Sequence, residues 1–531
     1  MKKITYYILF LISFYGFAQV TNQGEPLSWK LNGLNSVIPE VMEEVEMDNS
    51  SDAFVKQGEP LRFGQELAVQ LHTQNTGTWD ELFNGDRLWR MNVISENATS
   101  LNFIFSDFFI PEGATLYLYN NEKTDLLGAY THEQNREDGK LGTWFVSGDN
   151  VWIEYYEPKY QKGKGRLQIE KVVHGFRAIA DITGRDLNDS SSCNYDVNCS
   201  IGSDFDEYKN NLKRSVAFFI MGGSICSGTL INNVENDKAP YFLTANHCDN
   251  GDTGSWAFRF NWISSNPVCG VEGNSAGDNY NQTISGATKL MANDKTDVML
   301  VKIHGNLPTN WNLNWAGWNR SSNEIPFYTV AIHHPSGDVM KISRDNDVPT
   351  KMDAPFNGNN QTSLWKIENW EMGVTESGSS GAALFDQNGR IVGQLAGGAS
   401  QCDNAMADYF GRFDISWDYG DSAETRLSDW LDPYNTGVMT TDGLSNPNFQ
   451  FEGSVVIFPN PANQVVYINN NNFADLNYQF YTVTGQALQS GQLLQVNNTL
   501  SLSSFAEGTY FLKLFDKETG DSIVKRIIVK R

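Results

Sequence analysis

Cysteine is absent before Cys193 and after Cys402, and long apolar runs are absent after the first eighteen residues. Basic residues are also in short supply. Lys and Arg number 39 against 63 Asp and Glu, a formal charge of −24. A surface that acidic argues against nucleic acid and anionic membranes as partners. No HExxH, Walker A or CxxC motif occurs, and "SRDNDV" lacks the glycine and glutamate of an EF-hand loop, so neither a metal nor a cofactor is expected. The only long apolar run, in Met1–Ala18 "MKKITYYILFLISFYGFA", follows two lysines and ends on a small residue. It reads as a signal peptide (1–18), too short and wrongly flanked for a transmembrane segment. An exported, soluble protein follows. In that setting the six cysteines suggest three disulfides, whose pairing the spacing alone leaves open.

Aromatic residues and glycine are plentiful, with 14 Trp, 21 Tyr, 31 Phe and 46 Gly among 531 residues. Together with many short apolar runs they predict a mostly β chain of several domains. Residues 19–185 carry alternating segments such as "SLNFIFSDFFI", "ATLYLYN" and "DNVWIEYY", separated by turns such as "IPEGAT". That spacing predicts an antiparallel β-sandwich. Residues 186–444 show short turn-bounded strands and one helical segment, "SAETRLSDWLDP", from Ser422 to Pro433. Residues 445–454 read as a linker. Residues 455–531 form a compact all-β module with no nucleophile–base set.

Chemistry is expected only in the central region. A hydrolase without a metal needs a base that titrates near neutrality, and histidine is the usual choice. Four histidines lie there: His247, His304, His333 and His334. His247, in "YFLTANHCDNG", ends an apolar strand and precedes Cys248, which would fix its backbone. The other three read as packed or turn residues. Asp297, in "KTDVMLVKI", sits at the lip of an apolar strand and is the candidate to orient the imidazole. Asp294 is its neighbour in a more polar run. In "TESGSSGAALF", small residues around Ser379 and Ser380 meet the steric demand of an oxyanion hole, with Ser377 and Ser400 as further serines nearby.

The order His, Asp, Ser is that of chymotrypsin-like double β-barrels. "CSGTLIN", "LTANHC", "TDVMLVKI" and "GSSGA" resemble the successive motifs of the chymotrypsin/trypsin superfamily. "WAGWNR", "AIHHP", "GVTESGSSG", "GQLAGG" and "RLSDWLDP" are similar to segments of the bacterial lysyl endopeptidases, over about residues 190–437. The resemblance implies His247 as general base, Asp297 as its orienter and Ser380 as nucleophile, with the Gly378 and Ser380 amides as oxyanion hole. It implies the disulfides Cys193–Cys402, Cys199–Cys269 and Cys226–Cys248. It places the acidic residue that would select Lys or Arg at Asp408, with Asp403 as the exposed competitor. Val374 stands where trypsin has its aspartate, and Ala396 stands where the family has a histidine, so Lys and Arg are both admitted as expected specificities.

Trypsin-like enzymes also carry an aspartate before the nucleophile, which pairs with a freed N-terminus. Here that residue is Ser379, so that switch is not expected. Cleavage between Arg185 and Asp186 in "ITGRDLNDSSSC" would release residues 19–185 as a propeptide. The last module, through "IFPNPANQVVYI" and "GTYFLKLFDKETGDSIVKRIIVKR", resembles the type IX secretion (Por) C-terminal sorting domain, an Ig-like β-sandwich. The resemblance implies export to the cell surface or medium by the type IX secretion machinery. The resulting expectation is a monomeric secreted serine endopeptidase acting on polypeptides through an acyl-enzyme. The competing readings are an inactive protease-like surface adhesin and a peptidase of other specificity, such as a glutamyl-type pocket.

Overall fold

The computed structural model of the chain describes residues 24–45, 59–177, 190–271, 275, 282–356, 358–404, 406–444, 455–470, 476–493, 497–515 and 522–531. The expected signal peptide, the linker 445–454 and the expected cleavage site at Arg185 and Asp186 lie outside the described residues. The chain divides into two compact units, residues 1–444 and 445–531.

The first unit opens with two sheets. One runs Glu40–Val41, Arg87–Ile94, Asn150–Glu157, Thr115–Asn120, Leu126–Tyr130, with Thr78–Glu81 beside Arg87–Ile94. The other runs Val146–Ser147, Ser100–Phe109, Arg166–Gly175, Gly64–His72, with Leu141–Gly142 beside Ser100–Phe109. Leu101, Phe103, Phe105, Leu116, Leu118, Ile153 and Val172 interlock between them. The "IPEGAT" turn closes as expected, with the Ala114 amide donating to Pro111 O at 3.0 Å and Gly113 at φ +84°.

Two further sheets follow, the mostly β, two-sheet architecture expected of a peptidase. The first runs Thr283–Ser285, Ala257–Phe260, Val216–Met221, Ser224–Leu230, Tyr241–Ala245, Val298–Ile303, Ala287–Asn293. The second runs Tyr195–Asp196, Lys341–Asp345, Thr329–His333, Ala383–Phe385, Ile391–Gly398, Asp408–Arg412, Asn359–Ile367, Thr350–Phe356. Each has its own aromatic-rich core, one around Phe219, Phe242, Trp256 and Phe258, the other around Trp318, Phe413 and Trp417. The helix expected over Ser422–Pro433 is one turn only, Ser428–Leu431. The Leu427 amide is drawn to Ser416 O and the Thr425 amide to Ser422 O, so the preceding residues close turns instead of winding on.

The N-terminal sandwich and the first peptidase sheet share one hydrophobic core. Leu61–Arg62 pairs antiparallel with Ser224–Leu230, opposite Ile225 and Ser224. Trp144 stands edge-on to Phe218 at 5.3 Å between ring centroids, and the Arg259 guanidinium lies over Trp144 at 4.1 Å. This contact explains why Ser100–Phe109 is buried along most of its length on both faces and does not show the half-exposed alternation of a free sandwich strand.

The second unit is a β-sandwich. Val455–Phe458, Val465–Asn470 and Asn497–Ser501 form one sheet, and Ala487–Leu493, Leu476–Thr482, Gly508–Phe515 and Ser522–Val529 the other. Val466, Ile468, Phe480, Leu512 and Leu514 fill the space between them.

The shared core gives a direct test. Trp144→Ala should lower the unfolding free energy by about 3–5 kcal/mol through the lost burial and the cavity left behind. Denaturant titration followed by circular dichroism measures it.

Candidate active site

Tyr241–Ala245 runs into a single 3-10 turn, Asn246–Cys248, that carries His247. Cys248 is bonded to Cys226 on the adjoining strand, with the Cα atoms 6.5 Å apart. Asp297 has φ +55°, a left-handed conformation that aspartate tolerates better than bulkier residues. Its carbonyl accepts from the Asn246 amide at 2.8 Å. Its carboxylate accepts from the His247 amide at 3.0 Å and from His247 Nδ1 at 2.6 Å. Both side chains are 6% exposed. Because a carboxylate accepts, Nδ1 holds the proton and Nε2 is left with a bare lone pair. Nε2 is buried and has no hydrogen-bond partner among the described residues. Asp294 is exposed, with its carboxylate accepting from the Asn246 side chain and its carbonyl from the Asn359 side chain.

Ser380 lies in the turn before Ala383–Phe385 of the second sheet and is 8% exposed. Its carbonyl accepts from the Ser227 amide at 2.9 Å, and the Gly378 carbonyl accepts from Ser227 Oγ at 2.9 Å. Gly378 and Gly381 have φ +96° and +83°. A Cβ at Gly381 would lie 2.1 Å from Thr244 Oγ1 and 2.5 Å from Ser227 O, so only glycine lets the loop close on the strands that lead to His247. Among the described residues, neither the Gly378 nor the Ser380 amide donates to another backbone group.

Asp408 opens the strand Asp408–Arg412 and is fully buried. One carboxylate oxygen accepts from Trp370 Nε1, Thr375 Oγ1 and Ser400 Oγ, each at 2.7 Å, and the other from the Ser400 amide at 3.2 Å. Burial raises its pKa, with the hydrogen bonds from Thr375, Ser400 and Trp370 opposing. None of the groups that hold it is a cation. Trp370 and Thr375 were not singled out as parts of a site by the sequence, and Ser400 stood there only as a further serine near the motif. Thr375 stands inside the serine motif and Ser400 just beyond it, which is the signal available. Asp403 is exposed.

The disulfides join Cys193 to Cys402, Cys199 to Cys269 and Cys226 to Cys248. His333 and His334 are fully buried, and His304 is partly buried between Thr288 and Arg136. Asp345, Asp347 and Glu371 bring carboxylate oxygens within 4.8 Å of one another and could hold a cation. Burial, above all, pushes Asp345 up to about 7. A cleft of about 930 Å³ lies elsewhere, between Glu133–Lys140 and the edge carrying Lys289 and His304. It includes none of His247, Asp297, Ser380 or Asp408.

Residues 187–411 match the family Lysyl endopeptidase, C-terminal domain, and residues 456–530 match Secretion system C-terminal sorting domain. This is a lysyl endopeptidase-like chain with a type IX sorting tail. The tail indicates export to the cell surface or extracellular space. A lysyl endopeptidase of Pseudomonas aeruginosa is 28% identical over 283 residues, 50% of this chain and 60% of that protein. The lysyl endopeptidase-like chain thus spans about 60% of that relative's length. Among solved structures, an inactive form of Rv3671c from M. tuberculosis H37Rv is 16% identical, covering 39% of this chain and 84% of that one at a TM-score of 0.27. PorZ, a type IX secretion surface component of Porphyromonas gingivalis, is 11% identical, covering 58% and 41% at a TM-score of 0.14. Both likenesses are too slight to bear on fold or chemistry. No described helix is long and apolar enough to cross a membrane.

Burial pushes His333 down to about 3 and His334 down to about 4. An unfolded chain takes up those protons near pH 6.5, before the folded one does. The stability from keeping them neutral is therefore full above that pH and is lost as pH falls toward the folded values. His334→Gln should flatten the fall in stability by about 1.4 kcal/mol per pH unit, between about pH 6 and pH 4. Paired denaturant titrations across that range measure the difference. Raised carboxyls such as Asp408 act with the opposite sign but are common to both proteins.

Proposed function

We propose that the chain is an exported serine endopeptidase that cleaves after Lys or Arg. The observation that carries the proposal is the buried His247–Asp297 pair, whose geometry fixes the imidazole tautomer and leaves Nε2 without a partner. In the proposed reaction Nε2 takes the proton from Ser380 Oγ as the oxygen attacks the scissile carbonyl carbon. Asp297 stabilises the imidazolium that forms. The carbonyl oxygen becomes an oxyanion received by the Gly378 and Ser380 amides. His247 then returns the proton to the leaving amine, and the acyl-enzyme on Ser380 is hydrolysed by a water activated in the same way.

Asp408 supports the basic preference. It is a buried carboxylate with neutral donors only, so a substrate ammonium or guanidinium would supply its missing counter-charge. Residues 19–185 would act as a propeptide cleaved after Arg185. Ser190 and Ser191, just beyond that point, are already tied to Asp338 and Glu376, which supports a mature chain anchored there.

The test is hydrolysis of matched peptides ending in Lys, Arg, Glu or Phe by the processed protein. Ser380→Ala should cost roughly a millionfold in kcat. Asp408→Asn should lower kcat/KM for Lys and Arg peptides by roughly 10²–10³-fold, the cost of breaking a buried charge pair. Cleavage after Glu or Phe in preference would overturn the assignment of Asp408. No cleavage at all would leave a binding protein as the function.

A further inference from the structure

The loop Val374–Ser379 leads into Ser380, and a buried histidine ties its two ends together. His333 Nδ1 lies 2.7 Å from Ser379 Oγ, and its Nε2 lies 3.0 Å from Ser343 Oγ. The Glu376 amide donates to Ser379 Oγ at 3.2 Å, and Ser343 Oγ donates to the Val374 carbonyl at 3.0 Å. Both ends of this chain of hydrogen bonds are backbone groups, and with a neutral imidazole their polarity fixes every proton between them. The Glu376 N–H can only donate, so Ser379 Oγ accepts from it, which leaves its own proton and a second lone pair for His333 Nδ1. The Val374 carbonyl can only accept, so Ser343 spends its proton there and must accept from His333 Nε2–H. With His333 neutral, as burial favours, one arrangement satisfies all four bonds: the proton sits on Nε2, and Nδ1 accepts from Ser379 Oγ.

We infer that His333 is a positioning residue. Through Ser379 and Ser343 it staples the loop that carries the nucleophile and the oxyanion amides. The inference rests on Ser380 being the nucleophile. His333, Ser343 and Ser379 are all fully buried, so no water is at hand to replace a lost partner. The staple reinforces a turn that the backbone already closes, with the Ser379 amide on Glu376 O at 2.9 Å. Gly373, at φ +69°, lets the loop lie directly on Ser343, since a Cβ there would come within 2.8 Å of Ser343 Oγ. Burial, the neighbouring His334 and Lys341 all keep His333 in the neutral form that the chain requires.

Two measurements test this on the full-length protein. The first is independent of activity. Nitrogen-15 NMR of the ring should show a bare Nδ1 and a protonated Nε2, with Nδ1 shifting in Ser379→Ala. A protonated Nδ1 would overturn the staple. The second is kinetic. Ser379→Ala and Ser343→Ala should each lower kcat by about a hundredfold, the scale of a misplaced reacting group, with KM little changed. The double variant should be no worse than the worse single one, because either cut breaks the same chain. Unchanged kcat in Ser379→Ala, or strictly additive losses, would overturn the positioning role. Failure of the underlying reading looks different: unsubstituted protein would neither turn over peptides nor be labelled by a sulfonyl fluoride, while the NMR signature of the staple persisted.

Discussion

Ser227 uses every polar atom it has to hold the two peptidase sheets in register. Its amide donates to Ser380 O, its carbonyl accepts from Thr244 Oγ1, and its hydroxyl donates to Gly378 O while accepting from the His334 amide. The first two bonds join the Gly378–Ser380 loop to the strand that leads to His247. The last two join the same loop to the strand Thr329–His333 where it runs on into His334. Each bond adds only about 1 kcal/mol net, but any buried group left unpaired costs more than that. The constraint therefore acts as a set. A one-residue slip of Ser224–Leu230 would turn Ser227 to the other face, and the Cys226–Cys248 disulfide beside it opposes such a slip. The seating of the Ser380 loop against the strand that leads to His247 depends on these bonds of Ser227.

Much of this was legible in the sequence because its signals are local. Cys248 adjoins His247, glycines flank Ser379 and Ser380, and Asp297 heads its apolar strand. The short strands and turns were readable for the same reason. What was not legible depends on residues distant in the chain. Trp370 reaches Asp408 only because the segment after Asn359–Ile367 folds back over the strand Asp408–Arg412. His333 reads as a packed histidine until Ser379 and Ser343 come together around it. Ser100–Phe109 reads as a sandwich strand with a wet face, because nothing within it announces that Trp144 and Phe218 will cover that side. Ser422–Pro433 carries helical spacing, yet a local turn of Thr425 onto Ser422 and the draw of the Leu427 amide to Ser416, outside the segment, redirect its first turn.

The fold treats its buried carboxylates in more than one way. Asp196 and Asp338 share Lys341, Asp80 holds Arg90, and Glu157 holds Arg87, so each of these carboxylates is neutralised inside the fold. Asp408 is as deeply buried as any of them and is given an indole, two hydroxyls and one amide instead. Neutral donors orient a carboxylate and lessen the cost of ionising it, but they leave most of its field uncompensated. Adding a lysine partner from the chain would stabilise the carboxylate and cancel the attraction. On the proposed reading the fold bears this cost because the compensating cation belongs to the substrate. Binding then returns the energy at the one position where recognition is required.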